Sequence, residues 1–139
     1  MFKKETEYAL RALVYIWQQN MRGHRPGILE TAKEISAPAP FIAKILQRLV
    51  KNRLIFSQKG RGGGFYFDED QSDLLLEDVI MITEGKKIFT SCGFGLGTCN
   101  SENPCPIHDQ YSNIRNSLET VFKENSIQDL AKKDQINST

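Results

Sequence analysis

Long hydrophobic runs are absent from this 139-residue chain. No apolar stretch approaches the roughly 18 residues that a membrane-crossing helix requires. The N-terminus, MFKKETEYAL, carries no apolar export segment followed by a cleavage site, so a cytoplasmic protein with no membrane partner is expected. Cysteine is scarce, at three residues, and histidine scarcer, at two. An odd number of thiols cannot pair completely, and a reducing compartment disfavours structural disulfides. Internal repeats and low-complexity tracts are also missing. So are a Ser/His/Asp order with a supporting motif, a paired-carboxylate signal and a metallohydrolase motif, and the chain does not read as an enzyme. A cysteine nucleophile beside His108 is the one catalytic arrangement that spacing leaves open. The length fits one compact domain with room for an association element.

The few cysteines are concentrated. Cys92, Cys99 and Cys105 lie with His108 in CGFGLGTCNSENPCPIH, spaced C-x6-C-x5-C-x2-H. Gly93, Gly95, Gly97, Asn100, Asn103 and Pro104 separate them, so the backbone reads as loop. A loop that returns three thiols and an imidazole to one region can enclose a metal centre. Thiolates suit zinc, copper(I) or an iron–sulfur cluster. A Cys3His set also satisfies tetrahedral zinc. The spacing misses that of CCCH fingers only at its last interval. A thiol-only redox switch is a further reading.

Charge is unevenly placed. Residues 1–67 hold 12 Lys/Arg against 4 Asp/Glu, a net +8, whereas residues 68–139 hold 6 against 13, a net −7. A basic half on a nearly neutral chain points to a polyanionic partner, with nucleic acid foremost.

Periodicity organises the basic half. Residues 5–21 predict a helix with Ala9, Leu10, Leu13, Val14 and Trp17 on one stripe and Thr6 as N-cap. RGHRPG ends it, and His24 in that loop reads as solvated or near phosphate. Residues 29–36 predict a short helix with Leu29, Ala32 and Ile35 inward. After APAP, residues 40–53 predict a third, with Phe41, Ile42, Ile45, Leu46 and Leu49 inward and Lys44, Gln47 and Arg48 outward. Two short helices across a tight turn, the second basic on its outer face, read as a helix-turn-helix. Leu54–Gln58 and Phe65–Phe67 flank KGRGGG, a hairpin with Lys59, Arg61 and Gly62 at its tip. The glycines are not a nucleotide loop, because GxxxxGK[ST] is absent and the flanks run strand to strand. The expected fold is mainly α with a small β-hairpin, a winged helix-turn-helix. Lys44, Gln47 and Arg48 are candidate major-groove contacts, and Lys59, Arg61 and Gly62 candidate wing contacts.

Leu74–Glu84 predicts a fourth helix with Gly85 as its C-cap. Beyond the cysteines, Ile107, Tyr111, Ile114, Leu118, Val121 and Asn125 step by 4, 3, 4, 3, 4, a heptad-like seam on a long C-terminal dimerisation helix. The tail from Lys132 reads as frayed. The expected organisation is a DNA-binding domain over 1–85, a cysteine loop over 86–105, a dimerisation helix over 106–125 and a C-terminal segment over 126–139.

With these parts in order, the chain resembles the Rrf2 family of bacterial winged-helix regulators. The carrying residues are YALRAL (Tyr8–Leu13), PFIAKILQRLVKNRLI (Pro40–Ile55), KGRGGGFYF (Lys59–Phe67) and CPIHD (Cys105–Asp109). The resemblance covers about residues 2–132. It implies a homodimer on a palindromic double-stranded DNA operator and an iron–sulfur cluster held by Cys92, Cys99 and Cys105. The family's first cysteine gap is usually one residue shorter than here. The fourth ligand has two candidates. His108 matches the position of the IscR-like [2Fe–2S] ligand. Glu7 matches the helix-1 carboxylate that reaches a [4Fe–4S] cluster across the dimer in NsrR-like members. The resemblance implies a sensor of iron, redox state or nitric oxide.

Overall fold

The computed structural model describes residues 2–91, 102 and 106–133. Cys92, Cys99 and Cys105 lie outside the described residues. The elements are α1 (Lys4–Met21), α2 (Ile28–Glu34), α3 (Ala39–Lys51), β1 (Phe56–Gln58), β2 (Gly64–Tyr66), α4 (Leu76–Thr83), a 3-10 turn (Lys86–Phe89), α5 (His108–Glu124) and α6 (Ile127–Lys133). This is a winged helix, as the sequence pattern predicts.

Helix α1 is the hub. It buries Ala9, Ala12, Leu13, Val14 and Ile16 and packs against α2, α3, α4 and α6. Its N-cap is Lys3, not Thr6. Thr6 lies inside the first turn and is fully buried. Its hydroxyl stands 2.6 Å from that of Thr83 and donates to Glu84 Oε2 at 2.5 Å. A buried hydroxyl must keep a partner, and these contacts tie α1 to the end of α4.

The inward face of α2 differs from expectation. Leu29 is 77% exposed, while Thr31, Ala32 and Ile35 are buried. The stripe starts one residue earlier, at half-buried Ile28, and runs i, i+3, i+4, i+7. A seven-residue helix offers too few periods for the sequence to choose between those phases. Helix α3 follows its pattern, with Ile42, Ile45, Leu46 and Leu49 buried, although Phe41 remains 40% exposed and packs edge-on against Tyr8.

The hairpin pairs Phe56 with Tyr66, Ser57 with Phe65 and Gln58 with Gly64. Both helix-turn-helix helices end in the Schellman pattern. Ala37 N–H donates to Ala32 O and Leu54 N–H to Leu49 O. The left-handed residues there are Ser36 and Arg53 rather than glycine.

The last helix is a correction. Lys132 and Lys133, read as the start of a frayed tail, close α6. Asp129 N–H donates to Ser126 Oγ, and Ser126 N–H to Asp129 Oδ2, a reciprocal capping box. Ile127 and Ala131 are buried against α1. Ile127 N–H donates to Leu74 O and Leu76 N–H to Asn125 O, stitching α6 to the start of α4.

Candidate nucleic-acid interface and metal-site residues

A helix places residues three and four apart on one face. Lys44, Gln47 and Arg48 therefore share the outer face of α3, opposite its buried stripe, and all three are exposed. Arg48 is engaged within the chain: its Nη1 donates to Glu5 Oε1 of α1 at 2.8 Å. Gln47 instead lines a groove of about 410 Å3 shared with Val50, Ser57, Gln58 and Lys59. The groove runs between α3 and the wing, so it brings the helix-borne Gln47 and the wing-borne Lys59 to one surface.

The wing tip is exposed at Lys59, Gly60, Arg61 and Gly62. Gly62 has φ +77°, and a side chain there would meet open space. Glycine at this position supports the turn and leaves the backbone bare for close approach to a ligand. At the base, Gly64 excludes a side chain outright. A Cβ would fall 2.1 Å from Arg25 O.

Three residues near the wing were not singled out from sequence. The guanidinium of Arg25 lies 3.8 Å from the centroid of the Tyr66 ring, and its Nη1 donates to Gln58 Oε1. Pro26 O accepts from Phe65 N–H at 2.9 Å. Asn20 bonds to both Phe65 and Phe67 of the wing arm. The RGHRPG loop was legible as a helix break, but nothing local in it announces a partner in a hairpin some 40 residues on.

His24, in the same loop, is not simply solvated. Its Nε2 lies 2.7 Å from Glu30 Oε1, and Glu30 Oε2 accepts from the Tyr15 hydroxyl at 2.6 Å. Burial acts to raise the Glu30 pKa, but hydrogen bonds from Tyr15 and His24 outweigh it and hold Glu30 below its ordinary value. The Tyr15 hydroxyl is pushed up, first by burial and then by its bond to Glu30.

Of the candidate metal ligands, Glu7 and His108 lie within the described residues. Glu7 is exposed in the early turns of α1, 3.4 Å from Lys4 Nζ. His108 is half-buried and opens α5. Among the described residues no group of three or more His, Cys, Asp or Glu side chains could hold a metal ion. The flanks of the cysteine segment are linked, because Arg115 Nη1 of α5 donates to Ser91 O at 3.4 Å. Beside them, Glu84, Ile88, Phe89, Tyr111, Ile114 and Leu118 help line a largely apolar groove of about 370 Å3.

The heptad-like seam is only partly covered within the chain. Ile114 is 63% and Val121 49% exposed, Leu118 is half-buried, and Phe122 is the buried residue of α5.

Comparison with known proteins agrees with this architecture. The family model described as Rrf2, iron-dependent transcriptional regulator, matches residues 2–133. The HTH-type transcriptional regulator IscR of Photorhabdus laumondii subsp. laumondii is 21% identical over 93% of this chain and 77% of its own length. Among solved structures, CymR (YrzC), the global cysteine regulator of B. subtilis, superposes with a TM-score of 0.78 at 15% identity, covering 96% of this chain and 97% of that one. T. potens IscR gives 0.75 at 16% identity, covering 100% and 91%.

Proposed function

The chain belongs to the Rrf2 family of transcriptional regulators, and from that premise we propose that it is a homodimeric, cytoplasmic repressor or activator that binds a palindromic DNA operator and senses its signal through an iron–sulfur cluster. The family and its relatives are regulators rather than enzymes.

The observation that carries the DNA reading is the shared surface of α3 and wing. Gln47 and Lys59 line one groove, with Lys44 exposed on the same helix face and Arg61 and Gly62 exposed at the tip. A recognition helix fits the major groove, while a narrow, basic hairpin suits the minor groove or its phosphates. The first 67 residues supply the net positive charge that such binding needs.

Dimerisation is supported by α5. Ile114 and Val121 stand exposed along a heptad spacing, beside an apolar groove that a second helix would fill. A twofold axis through α5 would present two wings to two half-sites.

The donor set fits a cluster in its chemistry. Cys92, Cys99 and Cys105 offer three thiolates, the ligand type that holds both [2Fe–2S] and [4Fe–4S] centres. His108, at the head of α5, or Glu7 of the partner subunit would complete it. A bound cluster would supply chemistry responsive to iron, redox state or nitric oxide. The chain's own contribution is placement: Arg115 links α5 to Ser91, the residue before Cys92, and Thr6 of α1 bonds to Glu84 at the end of α4, eight residues before Cys92.

Anaerobic purification followed by visible absorption and iron and sulfide analysis tests this reading. Coloured protein with iron and acid-labile sulfide is expected. Colourless protein with stoichiometric zinc and no sulfide would replace the cluster with zinc, and metal-free protein with reversible thiol oxidation would make it a thiol switch. His108→Ala and Glu7→Ala separate the two fourth ligands. If neither alters the spectrum, both assignments are wrong.

A further inference from the structure

A two-stranded hairpin with three-residue strands is marginal on its own. The wing of this protein does not stand on its own. The outer edge of β2 is satisfied by side-chain and loop groups in place of a third strand. The Asn20 side chain accepts from Phe67 N–H at 2.8 Å and donates to Phe65 O at 3.2 Å and His24 O at 3.0 Å. One N–H and two carbonyls as partners fix which end of the amide points where. Phe65 N–H is taken by Pro26 O. One residue earlier, the Arg25 guanidinium lies over Tyr66 of β2 and donates to Gln58 of β1, so it spans both arms of the hairpin. Gly64 lets the Arg25 carbonyl approach to a distance no Cβ would allow.

We propose that Asn20 and Arg25 are positioning residues for DNA binding: they clamp the base of the wing to the C-terminal end of α1 and so fix where the Lys59–Gly62 tip stands relative to α3. The proposal rests on the DNA-binding reading above. The clamp acts through the tip rather than by touching DNA. Asn20 spends both amide hydrogens and its oxygen on the wing arm and the loop, and the guanidinium of Arg25 is stacked on Tyr66 and hydrogen-bonded to Gln58. The loop that carries Arg25 thereby joins the end of α1 to the start of α2, so the wing and the helix-turn-helix share one anchor.

The test is a double-mutant cycle on the full chain, read as the affinity for a short mixed-sequence DNA duplex at low salt. Asn20→Ala should weaken binding about fivefold, the size of one lost hydrogen-bonded anchor. Arg25→Lys, which keeps the charge but gives up the planar fork, should also weaken it. Neither change should weaken binding further in a chain already carrying Lys59→Ala and Arg61→Ala, because the clamp has no tip left to place. Losses that add in that background would overturn the proposal, since they would mean direct contact or general destabilisation. Unchanged affinity in both single variants would also overturn it. Should Asn20→Ala fail to fold, Arg25→Lys carries the same comparison. A wild-type chain with no salt-dependent affinity for the duplex would overturn the DNA-binding reading itself, and this proposal with it.

Discussion

Arg48 on the outer face of α3 is held by Glu5 of α1, with Nη1 donating to Oε1 at 2.8 Å. A residue that the α3 pattern offers to DNA is therefore already engaged by a carboxylate on α1. Glu5→Gln should release it. A partly exposed ion pair of this kind contributes about 0 to 1 kcal/mol to stability, so the fold should be little affected. Affinity for DNA should rise, and its salt dependence should steepen by about 0.9 in log–log slope if Arg48 gains one phosphate. Titration at several salt concentrations checks this. An unchanged slope would place Arg48 outside the DNA-contacting set.

Arg53 offers a stability test that leaves the DNA-facing side chains alone. It sits at φ +61° just past α3, where the Schellman pattern favours glycine. A side chain in that conformation costs about 1 to 2 kcal/mol, while glycine costs about 0.5 to 1 kcal/mol in chain entropy. Arg53→Gly should therefore stabilise the protein by up to about 1.5 kcal/mol. A denaturant midpoint that falls would contradict this account of the helix end.

The Tyr15–Glu30–His24 network sets a pH dependence. The folded chain holds the Glu30 pKa below its ordinary value. The resulting stabilisation is fully present above the ordinary carboxylate range and is lost as the pH falls through the folded-state value. Glu30→Gln removes this titration. Wild type should lead the variant in denaturant midpoint at mildly acid pH, and the lead should shrink as the pH falls through the carboxylate range. A lead that stays constant there would show that Glu30 is not held in its charged form by folding.

Much of the DNA-binding half was legible because its signals are local and repeated. The α3 stripe recurs over about two turns, from Ile42 to Leu49, and KGRGGG leaves the chain little choice but a hairpin turn. The phase of α2 was not legible, because in seven residues Leu29 and Ile28 are equally plausible starts for a stripe. Helix α6 was missed because its apolar stripe is too short to stand out: Ile127, Leu130 and Ala131 keep the i, i+3, i+4 spacing for a single turn in a polar segment. Its sequence signal was the capping pair in SIQD, Ser126 with Asp129 three residues later. The wing clamp could not have been found locally. Asn20 and Arg25 look like helix-end and loop residues until the fold brings Phe65, Tyr66 and Phe67 to them. Thr6 is a comparable case, since its burial depends on Thr83 and Glu84, far along the chain.

The central claim is that a cluster in the 92–108 region governs DNA binding by the winged helix. The most direct measurement is the operator affinity of one anaerobic preparation before and after its iron is removed by chelation. The operator would first be selected from a randomised duplex pool. The account predicts that the two affinities differ by about fivefold or more, the usual span of allosteric coupling. Equal affinities in the iron-loaded and stripped protein would contradict it.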